Sequence, residues 1–235
     1  IRINRGKSYL LIMKKEKSQV PIISLLLVVI IALALVGVAY NWGMPLIQKR
    51  QSAAIIDRVL NDFNPSNANS LVSKILSVAV NGGVETFVSS EEGRWELDPD
   101  ENYIQFTFFS KMSNLPVNDT PGIFRAYFST GKFSQPIGVC NTTVSPPSFD
   151  GEYEGILGKS TSFVVCGRAD YYRDGFLITY RLYFRPLEDE LTEKTRLIKV
   201  SVLQGTAFPK TAKALKIERV SIQQNGNITI TVGIG

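Results

Sequence analysis

Residues 17–50 read KSQVPIISLLLVVIIALALVGVAYNWGMPLIQKR, and no residue from Ser18 to Gln48 carries a charge. From Val20 to Tyr40 only Pro21 and Ser24 interrupt the apolar run. At 1.5 Å rise per residue that run makes a helix about 30 Å long, the thickness of a bilayer's hydrocarbon core. A secretory signal has a shorter apolar region, roughly 7 to 15 residues, ending in small residues before its cleavage site. Here the run leads into Tyr40, Asn41, Trp42, Gly43 and Pro45, which argues against an ordinary cleavable signal. A helix packed on a soluble core keeps a polar stripe, whereas Leu25 to Ala39 is apolar on every side. The stretch reads as a membrane-competent helix.

Its flanks orient it. Residues 1–18 hold Arg2, Arg5, Lys7, Lys14, Lys15 and Lys17 against Glu16 alone, and basic residues beside a membrane helix stay cytoplasmic. Everything after Gln48 is then expected outside, with Tyr40 and Trp42 at the far headgroup level. Met13, directly before KKEKS, is a candidate start residue that would leave residues 1–12 without a structural role.

The chain's net charge of +5 equals that of residues 1–18, so basic and acidic residues balance in the remainder. A pI near 9.1 therefore gives the exported part no net positive field, and nucleic-acid binding through phosphate neutralisation has little support. Cys140 and Cys166 are the two cysteines. An even count in an exported region favours a disulfide, with two buried free thiols as the alternative. Closing that loop would stabilise the fold by roughly 3 kcal/mol. Three sequons, at Asn118, Asn141 and Asn227, suit an exterior surface as glycosylation candidates, although such short motifs also arise by chance.

Beyond the apolar run, Leu46, Ile47, Ala54, Ile55, Val59 and Leu60 recur at helical spacing. The helix is expected to kink or break at Gly43 and Pro45 and to stop near Asn64-Pro65. A second helix is expected over Ser70 to Ala79, with Leu71, Val72, Ile75, Leu76 and Ala79 on one face and Asn81-Gly82-Gly83 as terminator. From Val84 the period becomes 2. Alternating faces run through Tyr103–Phe109, Phe176–Arg185, Ile198–Val202 and Ile228–Val232. Further strands are expected near Glu85–Val88, Arg94–Leu97, Phe124–Ser129, Phe163–Cys166 and Ile217–Ile222. The fold class is α+β: a long N-terminal apolar helix followed by a mainly antiparallel β-sandwich domain. The expected division is a basic cytoplasmic leader over 1–18, the helix over 19–63 and an extracellular β-rich domain over 64–235.

A short basic leader, Gln19 at the head of the run, Pro21-Ile22-Ile23 and an unbroken aliphatic helix leading into a β-rich domain resemble an archaeal type IV pilin or pilin-like protein. The pattern covers residues 13 to about 60. The resemblance implies a class III signal peptide cut between Ser18 and Gln19 by a prepilin-type peptidase, with Lys17-Ser18 as the charged and small residues before the cut. Ser18 stands where Gly or Ala is more usual, and Ile23 where many pilins carry glutamate. The resemblance further implies assembly machinery, a membrane-held precursor and a surface filament for adhesion or attachment. In that filament Leu25, Ile31, Leu35 and Gly37 would pack against copies of the same chain. A charge-free helix can leave lipid for such a bundle because one apolar surrounding replaces another, and Ala32, Ala34, Gly37 and Ala39 would permit close approach.

The same features fit a non-polymerising anchored domain, which differs only in lacking the leader cut. An enzyme is the third reading. With no histidine, His-based triads are excluded. Asp98, Asp100 and Glu101 open like a calcium loop but lack its glycine and distal glutamate. Glu188, Asp189 and Glu190 read as a charged turn between strands. No catalytic residue, cofactor site or metal site is expected.

Overall fold

The structure is a computed structural model that describes residues 20–117, 120–127, 138–144, 147–149, 163–185, 187–188, 195–223 and 226–234. The leader, Ser18, Gln19, Asn118, Asp189 and Glu190 lie outside them. The chain divides into two compact units at Lys49/Arg50.

Helix α1 spans Val20–Asp62. It runs unbroken through Gly43 and Pro45, so of the kink or break expected there the break does not occur. Pro45 removes one intrahelical hydrogen bond, whereas a break would free several backbone groups at once. In the first unit every described side chain from Ile22 to Trp42 is exposed.

In the second unit the sequence of α1 becomes one-sided: Ser52, Ile56, Val59, Leu60 and, just beyond its end, Phe63 are buried, at the spacing of a single helical face. The helix stops before Asn64-Pro65, where the Asn64 side chain accepts the Ser66 amide at 3.0 Å. Helix α2 spans Leu71–Asn81; the Ser70 hydroxyl accepts the Ser73 amide at its start and Gly82 closes its end. Its buried face is Leu71, Val72, Ile75, Val78 and Ala79.

The strands are β1 (Val84–Asp98), β2 (Tyr103–Ser110), β3 (Ile123–Tyr127), β4 (Gly138–Asn141), β5 (Ser148–Phe149), β6 (Phe163–Tyr172), β7 (Gly175–Phe184), β8 (Leu187–Glu188), β9 (Thr195–Arg196), β10 (Ile198–Val202), β11 (Lys210–Ile222) and β12 (Ile228–Ile234). Ten of them form one sheet, ordered β10-β12-β11-β1-β2-β7-β6-β3-β4-β5; β8 and β9 pair separately. Neighbours are antiparallel except β10 and β12. The α+β class and the long helix followed by a mainly antiparallel β domain are as expected. Ten of the described strands, however, join in one continuous sheet, and helices rather than a separate sheet pack on its larger apolar face.

The two strands expected at Glu85–Val88 and Arg94–Leu97 are one strand, β1, with a register shift between Val88 and Gly93. At Gly93 a Cβ would sit 2.3 Å from the Phe106 ring and 2.8 Å from the Thr107 carbonyl, so only glycine fits this approach. The irregularity lets Asp62 accept both the amide and the hydroxyl of Ser90, at 2.7 and 2.6 Å, tying the end of α1 to the sheet.

Period-2 alternation produces two cores on opposite faces of the central strands. The first gathers Ile56, Val59 and Leu60 of α1, Phe63 just beyond its end, the buried face of α2, and Trp95, Ile104, Phe106, Ile178, Tyr180, Leu182, Leu215, Ile217, Ile230 and Val232. Trp95 lies against the rings of Phe63, Phe87 and Phe106, and its indole N–H donates to the Ala212 carbonyl at 3.0 Å. The second holds Tyr103, Phe124, Ala126, Cys140, Val164, Cys166 and Tyr183. It exists because the sheet folds back on itself. Phe149 on β5 and Tyr183 on β7 are four strand steps apart, roughly 19 Å in a flat sheet; their rings lie 5.8 Å apart. Strands β3 to β5 thus cover the outer face of β2, β7 and β6, which makes this half locally sandwich-like.

Candidate functional site: the exposed apolar helix

From Ile22 to Val38 the first unit carries thirteen aliphatic residues larger than alanine, all exposed. Leu25, Ile31 and Leu35 are 67%, 50% and 64% exposed, and a Cβ at Gly37 would meet nothing within 4 Å. Fully burying such side chains is worth about 1.5–3 kcal/mol each, on the order of 20–40 kcal/mol for the set. That exceeds the roughly 5–15 kcal/mol stability of a typical domain, so this surface is strongly disfavoured in water and compatible with a membrane. The helix is long and apolar enough to cross a membrane. Leu25, Ile31, Leu35 and Gly37 do not share one stripe, since apolar side chains cover the whole circumference.

The disulfide is present. Cys140 and Cys166 are bonded with Cα atoms 6.1 Å apart. They lie on β4 and β6, which flank β3, and strands so placed in a flat sheet would hold them about 10 Å or more apart. The cross-link therefore spans the fold-back that closes the second core, and both residues are fully buried.

Against that core the half-buried Arg181 guanidinium lies 4.7 Å from the ring centroids of both Tyr103 and Phe124, a favourable cation–π position. It donates to the Gln105 side-chain carbonyl and, at 3.2 Å, to the Tyr183 hydroxyl. Burial raises the phenol pKa of Tyr103 and Tyr183 above the ordinary value, partly countered by the Arg181 charge. Sequence periodicity placed Arg181 on the polar face of β7. The fold-back that brings Phe124 over it has no local sequence signal.

The two described sequons differ in geometry. The Asn141 carboxamide oxygen accepts the Thr143 amide at 3.0 Å and the Thr143 hydroxyl at 2.6 Å. The Asn227 carboxamide oxygen accepts the Leu197 amide at 3.1 Å, joining the β12 entry to the β10 entry.

The first acidic cluster serves a turn, whereas the one described member of the second lies in a strand. Asp98 accepts the amides of Asp100 and Glu101 at 2.9 and 3.0 Å, closing the β1–β2 turn, and Glu188 lies in the short β8 strand. Among the described residues no three His, Cys, Asp or Glu side chains gather to hold a metal ion. Comparison with protein-family models, with curated proteins and with solved structures finds no match.

Proposed function

We propose that this chain is a structural subunit of an archaeal type IV pilus-like surface filament, held in the membrane as a precursor and assembled through its N-terminal helix. The observation that carries the reading is the charge-free surface of Ile22–Trp42, exposed around its circumference. A lipid-facing anchor and a filament core ask for the same apolar surface, so subunits can pass from one to the other without stranding a buried charge. The basic leader supports peptidase processing between Ser18 and Gln19, and the disulfide supports an extracellular place for the β domain. Copies of the chain, the membrane, a prepilin-type peptidase and the assembly machinery are its partners in this reading. Adhesion or surface attachment is its task.

The test is isolation of the protein from its native cells. The expected result is filaments in negative stain whose subunits begin at Gln19 by N-terminal sequencing. A surface-abundant protein that retains Lys14 to Lys17 and forms no filament is instead a non-polymerising anchored domain.

A further inference from the structure

We infer that Asn141, and not Asn227, carries an N-linked glycan on this domain. The inference rests on the exported placement of the β domain but not on filament assembly. A sequon asparagine becomes an acceptor through its carboxamide nitrogen, with the hydroxyl two residues on as part of the recognised unit. At Asn141 the carboxamide oxygen accepts the amide and the hydroxyl of Thr143. That arrangement leaves Nδ2 without a hydrogen bond to any described residue.

The turn is built rather than incidental. The Thr142 amide and hydroxyl both donate to the Gly122 carbonyl, at 2.8 and 2.9 Å. Gly122 has φ of 76°, and a Cβ there would lie 2.7 Å from the Thr143 methyl. The preceding Cys140 is fully buried and disulfide-bonded, while Thr143 and Val144 are exposed. The sequon thus starts at the first residue outside the second core.

Asn227 is used differently. Its carboxamide oxygen takes the Leu197 amide, the Ile228 amide donates to the Leu197 carbonyl at 2.9 Å, and the Gln223 amide donates to the Asn227 carbonyl at 2.8 Å. Its side chain continues the β10–β12 ladder, where a sugar would crowd the junction of three strands.

The co-substrate is a lipid-linked oligosaccharide phosphate. Nδ2 attacks the anomeric carbon, the C–N bond forms as the C–O bond to phosphate breaks, phosphate leaves with the electron pair, and one amide proton passes to a base of the transferase.

Peptide mass mapping of reduced protein from native cells tests this. A glycan increment is expected on the peptide containing Asn141, lost in Asn141→Gln and Thr143→Ala and kept in Thr143→Ser; Asn227→Gln leaves it in place. Urea midpoints near wild type for the Asn141 and Thr143 variants confirm that loss of the increment is not loss of the fold. An unmodified Asn141, or an increment on Asn227, overturns the inference. The disulfide state, read on an aliquot alkylated before any reduction, separates the two failures: a bonded pair with unmodified Asn141 rejects the glycan alone, and free thiols reject the exported placement with it.

Discussion

The side-chain oxygen of Asn102 accepts the Val200 amide at 2.9 Å while its nitrogen donates to the Ile198 carbonyl at 2.8 Å. A single carboxamide in the β1–β2 turn therefore pairs with the free side of β10, the edge strand of the ten-stranded sheet. It acts as a one-residue substitute for the next strand and blunts an edge that would otherwise invite pairing with another chain. Asn102 has φ of 57°, a conformation asparagine tolerates better than most residues. Asn102→Ala removes both bonds and adds left-handed strain, at an expected cost of about 1–3 kcal/mol. Urea denaturation of the detergent-solubilised protein measures the loss. Hydrogen exchange at Val200, faster in the variant and unchanged at Val165 in the far half of the sheet, localises it.

The Cys140–Cys166 bond should matter most to the fold-back. Cys140→Ala with Cys166→Ala is expected to lower stability by roughly 3 kcal/mol. Amide exchange should rise in β3, β4 and β5 while the Trp95 surroundings keep their protection, because α1, α2 and β11 enclose the first core without the cross-link. Equal loosening around Trp95 would show that the two cores form a single cooperative unit.

Much of this architecture is legible along the chain because it depends on local period. The apolar circumference of Leu25–Ala39, the one-sided apolar face of α2 and the alternation in β2 and β7 each follow from residues within a turn or two of one another. What depends on distant pairing is not legible. Asn102 closes an acidic turn in sequence and finds its partners 96 and 98 residues away. Glu85–Val88 and Arg94–Leu97 read as two strands because the irregularity before Gly93 breaks the alternation while the pairing with β11 continues across it. The disulfide pair was available by count, but not the sheet curvature that lets β4 and β6 approach. At Asn227 the sequon pattern and the structural use of the same carboxamide are indistinguishable in sequence.

The buried phenols of Tyr103 and Tyr183 give the domain a dependence on alkaline pH. Both have pKa values raised chiefly by burial, so the folded state holds their protons more tightly than the unfolded chain does. Between the unfolded value near 10 and the higher folded values, the native state binds more protons and stability falls with rising pH. The contribution is complete below about pH 10 and is lost as pH climbs through the folded pKa values. Phenolate absorbance should show Tyr103 and Tyr183 titrating above the ordinary phenol value, and Tyr183→Phe should flatten the decline in urea midpoint. An unchanged slope in that variant would assign the alkaline loss to other groups.

A charge at the middle of α1 separates the filament from the anchor. Ile31 lies inside the uncharged Ser18–Gln48 run and is half exposed on bare helix surface, so Ile31→Asp disturbs no packing within the subunit. An aspartate at the centre of a membrane helix costs about 2.5–3.5 kcal/mol on insertion scales, which the flanking aliphatic residues can absorb. In a bundle of identical helices each copy would bring another unpaired carboxylate into an apolar core with no cation on any neighbouring α1 apolar run to receive it. The expected outcome is a domain that is still exported, still joined through Cys140 and Cys166 and still recovered with membranes, but without filaments in negative stain. Wild-type filaments from Ile31→Asp would remove this helix from the filament core. Loss of the protein from the membrane fraction would mean that the charge blocks insertion; repeating the substitution as Ile31→Asn, which keeps a buried polar group without the ion, then distinguishes failed insertion from failed assembly.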